Sequence, residues 1–260
     1  MINLLRAELF KAKKSKGLRV LFVIMLISAI GMAVMAHLIA KDQISASLSG
    51  LVFMFSDVNM FSIIGAVAAS IIICADFEAK TVQAPIFSGY NRYTMVFSKA
   101  LTLFSFSILF ILPFIIVTFI GLQSGSAFQI QTGSVGFLHI LTTETGVSNI
   151  WKYIIVSLAL MFVYMSQTSV CILLAYVMKK PVFVVSAYYA LTILLAQLST
   201  VSEKSVLGGF MRSTPFGGKH AMLTMASSMS DILNAFTISI QFIFIMIGLA
   251  FLYFRRAEIK

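Results

Sequence analysis

Charge is what this sequence has least of: 11% of its residues are Asp, Glu, Lys or Arg, against about 25% in soluble domains. A chain so poor in charge cannot cover a globular surface with polar groups. Acids are scarcest, 9 among 260 residues, and there are three histidines. His37, His139 and His220 stand far apart and outside any H-E-x-x-H pattern, which removes the basis for a zinc enzyme. No serine lies in G-x-S-x-G, so no catalytic residue and no metal ligand is expected. The phosphate loop is missing too. Gly217-Gly218-Lys219-His220 lacks both the first glycine and the hydroxyl of that motif, so the chain is not expected to bind or hydrolyse ATP. The two cysteines, Cys74 and Cys171, have neither metal spacing nor a disulfide framework and read as small buried hydrophobes.

What is abundant is apolar length: 60% of residues are hydrophobic and the mean hydropathy is +1.00. A helix crossing the hydrocarbon layer needs about 20 apolar residues. Six segments reach that length: 18–40, 51–74, 94–122, 153–178, 181–201 and 232–254. The expected fold is therefore all-α, a polytopic membrane protein with six transmembrane helices, since each span must satisfy its own backbone in lipid. Pro113 lies inside the third span, where a kink is tolerated if neighbours satisfy the freed carbonyl. The first apolar run exceeds the 7–15 residues of a signal-peptide core and is expected to remain as a span. A net charge of +10 raises nucleic acid as a partner. The cations cluster at span ends, with no basic stripe interleaved with aromatics, and nucleic acid is not expected.

The same clustering orients the chain. With the N-terminus inside, only Lys41, Lys152, Lys204, Arg212 and Lys219 of the 19 Lys and Arg fall outside. The positive-inside rule then places both termini in the cytoplasm. It leaves a cytoplasmic loop at 75–93 and two longer outer loops, 123–152 and 202–231, which either shape an outer gate or serve as surface linkers. The first holds the apolar patch Phe137 to Leu141. The second holds a Met-rich stretch, Ala221 to Met229, too short to span. Residues 1–17 place Ile2, Leu5, Leu9 and Ala12 on one helical face with basic residues around it, the pattern of a helix in the membrane interface. Ser62, Gly65, Ala66 and Ala69 form a small-residue face on the second span, fit for close contact with a helix of the same subunit or of another.

Depth separates the polar residues. Asp57 is the one acid inside an apolar run and reads as a solvated helix-end group rather than a proton relay. Without buried acids, ion coupling lacks its usual site, so the energy source is expected outside this polypeptide. Ser166, Gln167, Thr168 and Ser169 cluster in the fourth span, Thr192 and Gln197 lie in the fifth, and Asn234 and Gln241 in the sixth. Such groups either bond across helices or line a substrate path.

The stretch from Asp76 to Lys99 breaks two apolar runs with charge. Together with Leu4-Leu5-Arg6-Ala7-Glu8-Leu9-Phe10-Lys11, with Glu78-x-Lys80-Thr81, Pro85, Arg92 and Lys99, and with Phe254-Arg255-Arg256 and Glu258, it gives the chain a known layout. It resembles the permease subunit of type-2 ATP-binding-cassette exporters, and most of all the small bacterial permeases of bacitracin resistance, lantibiotic immunity and peptide-toxin export. The resemblance covers the whole chain as architecture. It implies a bacterial plasma-membrane exporter of an amphipathic or antimicrobial peptide or a similar hydrophobic molecule. It also implies a second permease copy or paralogue, and separate ATPase subunits that carry ATP and Mg. The loop after the second span would be the cytoplasmic coupling helix, with Asp76, Glu78, Lys80, Thr81, Phe87, Tyr90 and Arg92 at the ATPase contact. Glu78 and Lys80 would supply ion pairs, and Phe87 and Tyr90 apolar anchors. Two rivals stand beside it: a polytopic membrane enzyme, and a non-catalytic sensor or immunity protein that sequesters a peptide.

Overall fold

Long apolar runs have to close their own backbone hydrogen bonds, and here they do so as helix. The computed structural model describes residues 2–130, 134–147, 149–198 and 213–256, and among these there is no strand. In chain order the helices are α1 (Ile2–Lys14), α2 (Lys16–Ala40), α3 (Ser49–Met54), α4 (Asp57–Ala69), α5 (Ala75–Glu78), α6 (Gln83–Phe87), α7 (Arg92–Gln123), α8 (Gly136–Thr143), α9 (Ile150–Met178), α10 (Pro181–Leu198), α11 (Gly218–Ala221) and α12 (Met229–Arg256). Six stretches are long and apolar enough to cross a membrane: α2, Ser49–Glu78, α7, α9, α10 and α12. The chain is an all-α polytopic membrane protein. Residues 199–212, within the expected fifth span and second outer loop, lie outside the described residues, as does Glu258.

Local chemistry sets the breaks. Ser15 separates α1 from α2 and accepts the Leu18 N–H at 3.5 Å. Asn149 caps α9 by accepting from Trp151 N at 3.0 Å and Lys152 N at 3.4 Å. Lys179 ends α9 in the left-handed region at φ 56°, and Pro181, with no N–H to lose, opens α10. The second span is composite: α3, a break at Phe55-Ser56, α4, a π-turn (Ser70–Cys74) and α5. It continues past residue 74 because the carboxylate of Asp76 finds partners inside the protein. α7 passes Pro113 without interruption.

α9 is the centre of the bundle and touches α4, α7, α10 and α12. The small-residue face of the second span turns to this helix, within the subunit. A Cβ on Gly65 would stand 2.6 Å from Thr168 Cγ2, so only glycine lets the two backbones approach. α12 lies along α9, with Phe236 and Phe162 ring centroids 4.5 Å apart. α1 packs on α7 with most of the expected stripe, Leu5, Leu9 and Ala12, turned partly or wholly inward, joined by Leu4. Only Ile2 departs from that stripe and is exposed, while Glu8, between Leu4 and Ala12 in register, reaches a cation on α7.

Ion pairs and caps gather α1, α5, the start of α7 and the ends of α9 and α12 at one end, here the basic end. At the far end, α8 is inserted into the bundle: Phe137, Leu138, Ile140 and Leu141 are fully buried. This apolar patch is thus a plug and not a surface linker. Met222 to Ser228, from the Met-rich stretch, is turn and coil.

Candidate functional site

At the basic end the charged loop is built from two single-turn helices, each closed by a Schellman pair of backbone bonds. After α5, Thr81 N donates to Asp76 O at 3.0 Å and Lys80 N to Phe77 O at 3.2 Å, with Lys80 left-handed at φ 55°. After α6, Tyr90 N donates to Pro85 O and Gly89 N to Ile86 O, both at 3.0 Å. These bonds satisfy carbonyls that such short helices would leave open. The loop is therefore a folded unit with its own internal bonding.

Beneath it lies a four-charge cluster. Lys99, 4% exposed, donates to Asp76 Oδ2 at 2.5 Å, Glu8 Oε2 at 3.1 Å and the Ile72 carbonyl at 2.9 Å. That uses all three ammonium protons. Asp76, 6% exposed, also accepts from Lys11 Nζ and, at 3.1 Å, from Thr81 Oγ1. Two acids and two bases cancel. The Ile72 carbonyl belongs to the π-turn, a distortion frequent at functional sites. The cluster joins α1, the second span and α7. Losing Lys99 or Asp76, the two buried members, costs about 3–5 kcal/mol, because the other is left uncompensated.

An aromatic cluster sits beside it. Phe77 meets Tyr176 edge-on at 5.8 Å and Phe254 at 6.3 Å, with Lys179 Nζ 5.9 Å from its centroid. Arg92 opens α7 and donates to the carbonyls of Phe254 at 2.8 Å and Arg255 at 2.9 Å. It thereby caps the C-terminus of α12, where a cation meets the negative end of the helix dipole.

The loop residues singled out from sequence thus divide. Asp76 and Arg92 turn inward and brace the loop, and Tyr90 packs half-buried against the core. Glu78, Lys80 and Thr81 are exposed, and Phe87 stands at the tip of α6 with 85% of its surface exposed. Glu8, Lys11 and Phe77 were not picked out by pattern. Glu8 and Lys11 share a helix face, Lys11 remaining exposed, but their pairing depends on Lys99 of α7 and Asp76 of α5, which no local signal announces.

The polar span residues do not converge. Ser166 Oγ and Thr168 Oγ1 are buried and donate to the Val163 carbonyl (2.7 Å) and the Tyr164 carbonyl (3.0 Å) of their own helix. Gln167 Nε2 donates to Pro215 O at 2.9 Å and ties α9 to the loop before α11. Thr192 Oγ1 donates to Tyr189 O at 2.8 Å, and Gln197 is exposed on α10. Asn234 and Gln241 face away from the bundle on α12.

Two further features carry weight. A groove of about 720 Å³ runs between α4 with its π-turn and α10, walled by Ile63, Val67, Ile71, Val182, Val185 and Tyr189, with Glu78 at its basic end. At the far end Asp57 is fully buried, not solvated as its position suggests. Its Oδ2 accepts from Phe137 N at 2.9 Å and from Tyr164 OH. The plug helix α8 brings its N-terminus onto the carboxylate and shuts out water.

Residues 4–180 match the family described as ABC-2 family transporter protein, well over half of the 260-residue chain. The match takes in α1, the charged loop, every member of the Asp76 cluster and the plug helix, and it stops at the threshold of α10. No curated protein matches the chain.

Proposed function

This chain belongs to the ABC-2 family of transporter proteins, and from that premise we propose that the folded loop Asp76–Arg92 is the docking site of the ATPase subunit. The family comprises membrane components of ATP-binding-cassette transporters, whose ATP hydrolysis is carried out by a partner. The observation that carries the proposal is an exposed aromatic, Phe87, on a loop braced from below by ion pairs centred on the buried Asp76 and Lys99. An aromatic left in water at the tip of a rigid turn is the anchor that a partner cleft takes up. Glu78 and Lys80 are exposed charges on the same loop, and Lys179 and the Arg255-Arg256 pair lie at the same end.

In this proposal two permeases, identical or paralogous, stand side by side in the bacterial plasma membrane with their termini in the cytoplasm. Two ATPase subunits with ATP and Mg close beneath them. Closure pushes the loops, and the Asp76 cluster passes the displacement to α1, the second span and α7. The cargo is an amphipathic or antimicrobial peptide or a similar hydrophobic molecule, supported by the groove of about 720 Å³ with its apolar walls. Transport follows from different affinities for cargo in the two states.

Co-purification tests it. The wild-type chain retains an ATPase subunit. Phe87→Ala/Glu78→Ala loses it, with binding weakened by about tenfold or more as expected for a hot spot of 1–2 kcal/mol or above. The variant keeps its yield and thermal stability because neither side chain is buried. An unchanged ATPase content in the double variant would sink the assignment of this loop.

A further inference from the structure

The second span is broken at one level by a turn that the docking of an ATPase leaves unexplained. Across Ser70–Cys74 the helix widens into a π-turn, and the Ala75 N–H donates to the Ser70 carbonyl, five residues back instead of four. Ser70 pins the start of the turn: its Oγ donates to the Ala66 carbonyl at 2.9 Å and to the Pro181 carbonyl at 3.4 Å. Two further helix breaks lie against it. Pro181 follows the left-handed Lys179 that separates α9 from α10. Ser15, extended at ψ 121°, separates α1 from α2, and a Cβ on Gly17 just beyond would stand 3.0 Å from Ile71 Cδ1. Three breaks thus meet at one level, and a broken ladder changes its angle with the loss of few further hydrogen bonds.

The segments on the two sides of the turn are held differently. On α4 the Gly65 backbone lies against Thr168, the Phe61 and Tyr164 rings are 5.4 Å apart, and Asp57 accepts from Phe137 N at 2.9 Å. These are contacts between closely packed surfaces, which yield little. α5 has four residues and is held to the bundle through the side chains of Asp76 and Phe77. The ion-pair partners of Asp76 are two lysines, whose flexible four-carbon stems follow a moving carboxylate. Lys99 also holds the Ile72 carbonyl at 2.9 Å, so one ammonium ties the turn to the segment beyond it.

We infer that the π-turn is a joint: α5 and the charged loop swing on it, while α4 keeps its place against α9. The second span is then not a rigid lever. The extra residue in the turn supplies the freedom. Taking it up into regular helix advances the chain beyond by up to about 1.5 Å and turns it by up to about 100°. Any part of that motion re-aims Asp76 and the loop without moving α4. The inference rests on the proposal that an ATPase docks on Asp76–Arg92, and it adds where in the second span the push is taken up.

Spin-label distances in the full-length chain, with its ATPase bound and in lipid nanodiscs, test this. On a Cys74→Ser/Cys171→Ala background, label pairs join Ala79→Cys just past α5, Ile63→Cys on α4 and Leu158→Cys on α9. Ala79 and Leu158 are exposed and Ile63 lines the groove, so the labels need no buried space. Between nucleotide-free complex and complex trapped with ATP and vanadate, the distance from Ala79 to Ile63 is expected to shift by about 2–5 Å, between one residue of rise and one turn. The distance from Ile63 to Leu158 is expected to stay the same. A shift of Ile63 against Leu158 means that the span moves as one lever, which overturns the joint and leaves the docked loop standing. If Ala79 holds its distance to both references while the bound ATPase turns over, the joint and the coupling role of the loop both fall.

Discussion

Asp57 and Asp76 are both buried carboxylates near the ends of one span, yet they are neutralised in different ways. Asp76 has two ammonium partners, Lys11 and Lys99. Asp57 has no ion pair among the described residues and relies on donors: Phe137 N, Tyr164 OH and the first turns of both α4 and α8. Two helix N-termini thus point at one acid, a favourable arrangement for negative charge. Asp57→Ala is expected to leave the Phe137 N–H and the Tyr164 hydroxyl buried without an acceptor, at about 1–3 kcal/mol each, read as a lower thermal midpoint in detergent. Gly136 makes this contact possible. It is left-handed at φ 64°, and a Cβ there would fall 2.1 Å from both Asp57 Oδ2 and Tyr164 OH. Gly136→Ala should therefore cost more than the roughly 1–3 kcal/mol of ordinary overpacking, with loss of folded protein on size exclusion as the readout. Lys99→Met should cost about 3–5 kcal/mol. Lys99→Met/Asp76→Leu should cost less than the sum of its single changes, the mark of a coupled pair.

At the scale of elements, the charged loop shows how a short sequence becomes rigid. α5 and α6 have four and five residues, too short to persist as isolated helices. Their closing bonds and the ion cluster hold them. Lys80 occupies a position where a side chain costs about 1–2 kcal/mol of left-handed strain. Lys80→Gly is expected to be neutral or stabilising despite the loss of charge, and Lys80→Ile destabilising, in the same melting experiment. The sequence marks this element well, since charge between two apolar runs is conspicuous. The division of labour within it is hidden. Asp76 and Glu78 look alike in sequence, two residues apart, but one turns into the bundle and the other out of it. α8 was visible only as an apolar patch in a polar loop, and Asp57 looked like an ordinary helix end because nothing local places that patch on top of it.

Across the whole molecule, basic residues gather at one end of a six-helix bundle, and membrane potential and anionic lipid favour that end on the inside. An impermeant thiol reagent on intact cells is expected to label Lys152→Cys at the far end. It should reach Phe87→Cys only after permeabilisation; the reverse pattern would invert the topology. The amino-acid sequence by itself determined the class, the six spans and the position of the charged break. Those follow from hydropathy and span length, which are local properties that lipid enforces on each segment separately. The tertiary structure alone decided which charges are buried, that Gly65 meets Thr168, that α8 plugs the far end over Asp57, and which face of α12 is left open. Each of these depends on residues far apart in the chain meeting across helices, and a helix in lipid shows no hydrophobic preference for one neighbour over another.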